Sequence, residues 1–256
     1  MILKSFVIAF SMYSKIPMPS VEWNEKNLRY ALCFFPFVGF VIGGLVFGWM
    51  YFCAKFLENN LLQTIFLLLI PLLVTGGIHA DGFLDTSDAL SSYKKKEEKL
   101  LILKDPHIGS FAVIKFVSLC LVYLGSASVF TFNRAFCSWC LTFVLSRIFS
   151  AFAAVNFKSA KKDGTLYTFS NSAAKKITNC ILFIETTLCL TAMLVLSPLC
   201  GIIIFACLTL FLVYFRSMSL RFFGGLTGDL CGWFVCVAES ISTVCAAIFL
   251  LMGLKC

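Results

Sequence analysis

Long apolar runs, separated by short segments rich in lysine, constrain this chain more than any other feature of its sequence. A run of about 20 residues is long enough for a helix to cross the hydrocarbon core of a bilayer. The runs lie near residues 31–55, 61–79, 109–130, 136–156, 177–197, 199–219 and 232–254. Hydrophobic residues make up 60% of the chain and charged residues 13%, which is far from the composition of soluble domains. The sequence therefore predicts an all-α, polytopic integral membrane helical bundle with about seven transmembrane helices, within a range of roughly six to eight.

One division between spans is ambiguous in the sequence. The apolar stretch around Ser197-Pro198 either turns back as a tight hairpin or continues as a kinked helix. The distribution of lysine and arginine favours the hairpin. The 256 residues leave no room for a separate soluble domain, so we expect residues 1–256 to form one membrane-embedded domain. The first 20 residues lack a signal-peptide cleavage pattern, and we expect an amphipathic segment at the membrane interface.

Positive charges are distributed unequally between the two sets of connections. If the first span begins on the cytoplasmic side, 16 of these residues lie in cytoplasmic segments: Lys4, Lys15, Lys26, Arg29, Lys94, Lys95, Lys96, Lys99, Lys104, Lys158, Lys161, Lys162, Lys175, Lys176, Arg216 and Arg221. The opposite side then holds three: Lys55, Arg134 and Lys255. This bias predicts a multi-pass protein of the cytoplasmic membrane, with a cytoplasmic N-terminus and an external C-terminus.

Three aspartates follow the second apolar run, in the segment GGIHADGFLDTSDAL at residues 76–90. On a helix, Asp81, Asp85 and Asp88 fall within an arc of about 60°. Like charges at this spacing repel by roughly 0.2–0.5 kcal/mol per pair, so the arrangement does not help folding. Oxygen ligands without cysteine suit Mg²⁺ bound together with a phosphate-bearing substrate. We therefore predict that these aspartates bind Mg²⁺ on the cytoplasmic side and take part in catalysis; the alternative is a solvated helix start.

Other polar residues are predicted to complete a substrate-binding site. The segment RFFGGLTGD at residues 221–229 has glycines that let backbone N–H groups approach a ligand, although glycines also commonly pack membrane helices. Thr227 is a candidate cap for the helix that follows. Charges inside spans are costly, so Arg147 and Glu239 should face the bundle interior. The substrate-binding candidates are Lys104, Asp105, Arg147, Arg221, Gly225, Thr227, Gly228, Asp229 and Glu239.

His79 is a further catalytic candidate, but its direction depends on the local backbone. On a continuous helix it points nearly opposite to Asp81. It turns toward the site if Gly76-Gly77 breaks the helix. The net charge of +8 suits anionic lipid head groups and a phosphorylated substrate, and no nucleic-acid-binding module is visible. The 13 cysteines follow no compact framework and predict no disulfides.

Four segments in order resemble those of a known enzyme family. GGIHADGFLDTSDAL and LKDPHIGSFAV (residues 103–113) resemble the central signature of bacterial cobalamin synthase, the adenosylcobinamide-GDP ribazoletransferase. FSMYSKIPMP (residues 10–19) resembles its N-terminal motif, Ser146-Arg147 a polar pair within a middle span, and RFFGGLTGDLCGWFVCVAES (residues 221–240) its C-terminal motif. Two departures are visible, since Ala89 replaces a usual glycine and Lys15 a usual arginine. Neither removes a carboxylate.

The resemblance implies a membrane enzyme of cobalamin biosynthesis. It would transfer the cobinamide phosphate moiety of adenosylcobinamide-GDP to α-ribazole or α-ribazole 5′-phosphate, releasing GMP, in a Mg²⁺-dependent reaction. Lys104, Arg147 or Arg221 would stabilise the leaving phosphate. The expected partners are these two substrates and the lipid bilayer, without nucleic acid, and a homo-oligomer is compatible with them.

Two rival interpretations remain open at this point. A CDP-alcohol phosphotransferase also combines a membrane bundle with spaced aspartates, but its signature carries Ala-Arg where Leu84-Asp85 stands. An ion-coupled transporter would also contain intramembrane carboxylates and broken, glycine-rich helices. Its charges should lie near the membrane midplane, whereas those predicted here lie toward one face.

Overall fold

The computed structural model describes residues 2–57 and 59–253, which form helices joined by short connections. There are 13 helices in this part of the chain: α1 (Ile2–Tyr13), α2 (Glu25–Leu28), α3 (Ala31–Phe56), α4 (Asn60–Thr75), α5 (Ile78–Ser91), α6 (Lys96–Ile102), α7 (Ser110–Ala127), α8 (Arg134–Cys140), α9 (Thr142–Asn156), α10 (Thr165–Ser172), α11 (Lys175–Leu196), α12 (Pro198–Phe223) and α13 (Gly228–Leu251). The predicted all-α architecture is confirmed. Lys255 and the predicted end of the last span at residue 254 lie outside the described residues.

Six helical segments among the described residues are long and apolar enough to cross a membrane. They are α3, α7, the α8–α9 segment from Arg134 to Asn156, α11, α12 and α13. Helices α4 and α5 together meet the same criteria but are bent by 95° relative to each other, so they count as a seventh span only if the bent pair crosses as one. The chain is therefore a multi-pass membrane protein with six or seven spans.

The bend between α4 and α5 corrects the predicted span at residues 61–79. Helix α4 ends at Thr75, and Gly76 and Gly77 follow with φ angles of 62° and 80°. Residues with a side chain rarely adopt this left-handed conformation, which glycine adopts at little cost. The N–H groups of Gly76 and Gly77 donate to the carbonyl oxygens of Leu73 and Leu72, closing the end of α4. The glycine pair thus redirects the chain before the three aspartates.

Ser197 and Pro198 form the connection of a helical hairpin. Ser197 is extended, with φ −154° and ψ 94°, and Pro198 begins α12, where its missing N–H has no helical partner to lose. Helices α11 and α12 then pack side by side. The hairpin interpretation is confirmed, and the single kinked helix is excluded.

Glycines bring α3 against the α8–α9 segment at the centre of the bundle. A Cβ atom on Gly43 would lie 2.6 Å from the carbonyl oxygen of Cys140, and one on Gly39 would overlap the carbonyl group of Phe143. The backbones can approach this closely only because both residues lack side chains. This packing holds α9, with Arg147 and Ser150, in the bundle interior.

Several connections meet at one end of the bundle. Ala160 N donates to Leu226 O at 2.8 Å, and Leu226 N donates to Lys158 O at 2.8 Å, so a short parallel bridge joins the segment after α9 to the segment before α13. Ala174 N donates to Arg29 O at 3.1 Å. The lysine-rich segments around 94–104 and 158–162 also meet here, because Lys161 Nζ donates to Leu100 O. We call this the polar end of the bundle.

The α3–α9 contact predicts opposite outcomes for two glycine substitutions in one helix. Gly39→Ala should lower the free energy of unfolding by about 1–3 kcal/mol, because the new methyl group forces the helices apart. Gly44→Ala is the matched control, since a Cβ atom there meets no other atom within 4 Å. Thermal unfolding in detergent measures both. Equal stability of the two variants would contradict the close packing of α3 on α9.

Candidate functional site

Helix α5 lies directly against the first turns of α13, and two glycines set the distance between them. A Cβ atom on Gly82 would lie 2.7 Å from the carbonyl oxygen of Asp229. One on Gly232 would lie 3.2 Å from the Cα atom of His79. Larger residues at either position would separate the helices. The contact therefore brings the central aspartate motif to the C-terminal polar segment.

Four carboxylates lie at this junction: Asp81, Asp85, Asp88 and Asp229. Asp81 is exposed, Asp85 and Asp88 are partly buried, and the charges of Asp81, Asp88 and Asp229 all act on Asp85. Within residues 2–57 and 59–253, no lysine, arginine or histidine forms an ion pair with any of the four. No ion pair among the described residues therefore offsets their mutual repulsion, although the charge of Lys161 acts on Asp229.

Asp88 is held by the start of α7. A Cβ atom on Gly109 would lie 2.7 Å from the carboxyl carbon of Asp88, so a larger residue there would require the Asp88 side chain to move. Gly109 belongs to the segment LKDPHIGSFAV. The proximity of the two segments in the fold explains why a glycine stands there.

A cavity of about 300 Å³ opens at the polar end next to this junction. Asp81 and Asp229 lie on its wall, and so do Lys104 and Lys161. Apolar and aromatic side chains, including Tyr13, complete the lining. A concave site with a few polar groups on an apolar background is typical of small-molecule binding.

The cavity contains part of the residue set predicted from the sequence. His79, Asp81, Lys104, Thr227, Gly228 and Asp229 line it. The helix break at Gly76-Gly77 is present, and it places His79 at the cavity, as the conditional prediction stated. Asp85 and Asp88 follow Asp81 along α5 but are not part of the lining.

Asp105 and Arg221 lie away from the cavity. Asp105 Oδ1 is 2.8 Å from His107 Nδ1 and also accepts from the His107 backbone N–H. That backbone hydrogen bond is the main reason why the pKa of Asp105 lies below its usual value. Arg221 is exposed, with its guanidinium 5.3 Å from the centre of the Phe222 ring. The structure gives neither residue a contact with the cavity.

Arg147 and Glu239 form a buried ion pair below the cavity. Arg147 Nη1 is 2.6 Å from Glu239 Oε1 and 2.8 Å from the carbonyl oxygen of Phe143, and the arginine is fully buried. The predicted interior position of both residues is confirmed. They line a second, smaller cavity of about 40 Å³, and His79 lies between the two cavities. Because Arg147 is paired and outside the main cavity, the geometry favours a positioning role for it over contact with a leaving phosphate.

The glycines of the C-terminal segment have different roles. A Cβ atom on Gly225 would lie 2.5 Å from Lys158 O and 2.6 Å from Ala160 N, so this glycine admits a neighbouring backbone rather than a ligand. Gly228 lines the cavity, and a Cβ atom there would meet nothing within 4 Å. Thr227 caps α13, since its hydroxyl oxygen accepts from Leu230 N at 3.3 Å. The predicted cap is confirmed.

Lys161 lines the cavity, although its sequence context marks it only as one of the positive charges on the cytoplasmic side. The bridge between residues 158–160 and Leu226 carries it to the cavity, and no sequence pattern marks such a long-range backbone contact. The same limitation applies to Tyr13, whose ring centre lies 6.3 Å from that of His79.

The donor set at the junction is compatible with Mg²⁺. No three His, Cys, Asp or Glu side chains in the described part of the chain converge closely enough to enclose an ion by themselves. Mg²⁺ does not need such a cage, because it commonly keeps several waters and binds one or two carboxylates together with substrate phosphates. The carboxylates around Asp81 and Asp229, which form no ion pair within the described residues, fit this mode of binding.

The chain is similar to known proteins over nearly its whole length. Residues 5–247 match the cobalamin-5-phosphate synthase family. An adenosylcobinamide-GDP ribazoletransferase of Lachnoclostridium phytofermentans is 40% identical over 246 residues, covering 96% of this chain and 94% of that protein. Proteins of the same name from Clostridium botulinum strain Eklund 17B and Fusobacterium nucleatum are 29% and 28% identical, covering 97% and 90% of this chain and 98% and 92% of their own lengths. No solved structure matches the chain. The match across nearly all of its length shows that this chain belongs to the cobalamin-5-phosphate synthase family.

Proposed function

We propose that this protein transfers the cobinamide phosphate moiety of adenosylcobinamide-GDP to α-ribazole or α-ribazole 5′-phosphate, releasing GMP. This is the step that completes the lower nucleotide loop of cobalamin. The observation that carries the proposal is the family match over residues 5–247, which includes all the residues that line the cavity. The carboxylates at the end of the bundle also favour an enzyme over a transporter, whose coupling charges would lie near the membrane midplane.

The reaction joins an acceptor hydroxyl to a phosphorus atom. A ribose hydroxyl of α-ribazole attacks the phosphorus attached to the cobinamide side chain, and the bond from that phosphorus to the GMP oxygen breaks. The electron pair of that bond leaves with GMP, and the hydroxyl loses its proton. Positioning and charge neutralisation provide most of the catalysis in such a transfer.

Residues in and beside the cavity have different roles in this reaction. One of the aspartates at the junction of α5 and α13, not fully committed to metal, accepts the hydroxyl proton. Lys104, which also lines the cavity, neutralises charge on the leaving phosphate. Gly228 leaves the first turn of α13 open to the cavity, so backbone N–H groups can approach a phosphate oxygen there. His79, held between the two cavities, positions the start of α5.

Magnesium is the proposed cofactor, held by Asp81, Asp85 and Asp88, with Asp229 beside them. Bound there with the diphosphate, Mg²⁺ would withdraw negative charge from the phosphate oxygens. The four carboxylates would then lose the mutual repulsion that they have in the protein alone. The change from repulsion between the carboxylates to attraction for a cation explains why four acids lie together at the end of a membrane bundle.

We place the active site on the cytoplasmic side of the cytoplasmic membrane. The polar end carries most of the lysine and arginine side chains, and positive charges flanking spans favour the cytoplasm. Adenosylcobinamide-GDP is large and carries a charged diphosphate, so an aqueous route to the cavity from that side suits it.

The direct test of the function is turnover by the purified protein. The protein in liposomes, supplied with adenosylcobinamide-GDP, α-ribazole and Mg²⁺, should produce adenosylcobalamin and GMP in equal amounts. A parallel reaction with a CDP-alcohol donor and a diacylglycerol acceptor tests the phospholipid-type alternative. Product only in the second reaction would overturn the proposal.

The aspartates should be required for both turnover and metal binding. Asp81→Asn, Asp85→Asn and Asp88→Asn keep the side-chain size but remove the charge, so each should lower turnover by roughly 10²-fold or more. Mg²⁺ should raise the melting temperature of the wild type in detergent and raise that of the variants much less. Asp105→Asn is the control, because Asp105 lies outside the cavity. Equal Mg²⁺ shifts in wild type and all three variants would return the aspartates to the solvated-helix interpretation.

Gly228 and Gly225 should respond differently to enlargement. Gly228→Val places its side chain where no atom lies within 4 Å, so the protein should fold while turnover falls by at least about tenfold through obstruction of the cavity. Gly225→Val should instead lower stability, because its side chain would collide with the backbone of residues 158–160. Melting and turnover are measured for each. Normal turnover by Gly228→Val would exclude ligand from this part of the cavity.

Epitope tags test the proposed orientation. A tag inserted at Ser92 should be accessible only from the cytoplasm, and one inserted at Thr131 only from the exterior, because these positions follow α5 and α7. Antibody labelling of intact and permeabilised cells distinguishes the two. The reverse pattern would place the cavity on the outer side of the membrane.

A further inference from the structure

The connection between α9 and α10 brings one further cation to the cavity. The bridge between Ser159 and Leu226 fixes the backbone directly before Lys161, and Gly225 allows the two segments to approach. Lys161 is therefore attached to an anchored backbone segment, whereas the exposed Lys162 beside it does not line the cavity.

The side chain of Lys161 is held in place as well. Its Nζ atom donates to the carbonyl oxygen of Leu100 at 3.1 Å, which ties it to α6. Helix α6 is in turn tied to α5, since the buried Lys99 donates to the carbonyl oxygens of Ala89 and Ser92. An ammonium group has three N–H donors, so Lys161 keeps two for another acceptor.

Lys161 and Lys104 bring two positive charges to the same cavity. Burial lowers the pKa of Lys161, and the nearby charge of Lys104 lowers it further, while Asp163 and Asp229 act in the opposite direction. Both lysines line the cavity that contains Asp81 and Asp229. A phosphate beside the two lysines would turn their repulsion into attraction.

The size of the cavity limits which part of a substrate reaches the lysines. A volume of about 300 Å³ is at the lower end for small-molecule sites. A corrin ring is too large to enter it, but a phosphate group with its sugar is not. The part of a substrate that reaches the two lysines is therefore smaller than the corrin ring, and among such parts a phosphate carries the negative charge that ammonium groups bind.

We propose that Lys161, together with Lys104, binds a substrate phosphate in the cavity that the two lysines share with Asp81 and Asp229. This inference rests on the function proposed above, and it adds a binding residue to that site. Two phosphates have the required chemistry: the diphosphate of adenosylcobinamide-GDP and the 5′-phosphate of α-ribazole 5′-phosphate.

Steady-state kinetics of charge-removing variants tests the proposal and separates the two phosphates. Lys161→Met removes the charge while keeping most of the side-chain length, Lys161→Arg keeps the charge, and Lys162→Met is the matched control. Lys161→Met should raise the KM of the bound phosphate substrate about 10- to 100-fold, the usual effect of losing a hydrogen bond to a charged group. Lys161→Arg should restore most of the loss.

The pattern of KM values identifies the phosphate. A rise for adenosylcobinamide-GDP with either acceptor assigns Lys161 to the diphosphate. A rise for α-ribazole 5′-phosphate, with the KM of α-ribazole unchanged, assigns it to the 5′-phosphate. KM values within about twofold of wild type for all three substrates would overturn the proposal, even with the proposed function intact.

Binding of inorganic pyrophosphate separates failure of this inference from failure of the proposed function. Pyrophosphate should raise the melting temperature of wild type and Lys162→Met in detergent, and raise that of Lys161→Met much less. The same result without any cobalamin formation by the wild type would retain the phosphate site and overturn the function. Equal stabilisation of all variants would overturn the site. If Lys161→Met does not fold, Lys161→Gln, which removes the charge but keeps N–H donors for the carbonyl oxygen of Leu100, provides the same comparison.

Discussion

The contact between α5 and α13 is the constraint on which the rest of the site depends. Gly82 and Gly232 let two backbones meet, and the meeting places carboxylates from distant parts of the sequence beside one another. Such a junction is electrostatically unfavourable for the empty protein. Its cost is tolerable because the surrounding bundle is held by other close contacts, among them the glycine-mediated packing of α3 on α9. Gly39 and Gly43 thus allow the packing at the centre of the bundle, and Gly82 and Gly232 allow the contact that assembles the candidate site.

Much of the fold could be predicted from the sequence because bilayer thickness imposes a length on each apolar run. The hairpin at Ser197-Pro198 followed from the charge distribution, and the interior position of Arg147 and Glu239 followed from the cost of charge in lipid. The end of α4 was misplaced because hydropathy continues through residues 76–79, whereas the backbone turns at two glycines that hydropathy does not weigh. The left-handed conformation of two consecutive glycines ends the helix, and the apolar content of the segment does not indicate that conformation.

The site was predicted in part for a related reason. The aspartates could be found because their spacing has no use in folding. Lys161 could not be found, since its position depends on a backbone bridge to a segment far along the chain. Arg147 and Gly225 were assigned to the substrate because charge and small size suggest ligands, but one pairs with Glu239 and the other meets a neighbouring backbone. Residue type indicates what a side chain can do, and only the fold decides what lies next to it.

The bridge between Ser159 and Leu226 has a consequence for the order in which the protein is made. Chains are synthesised from the N-terminus, so α5 leaves the ribosome long before α13 exists. The bridge cannot close until α10, α11 and α12 have been synthesised, and α13 must follow before Asp229 reaches the junction with α5. The cavity is therefore among the last parts of the molecule to assemble. A nascent chain stopped before its final helix would already be embedded in the bilayer, yet its cavity would lack Gly228 and Asp229, which belong to α13.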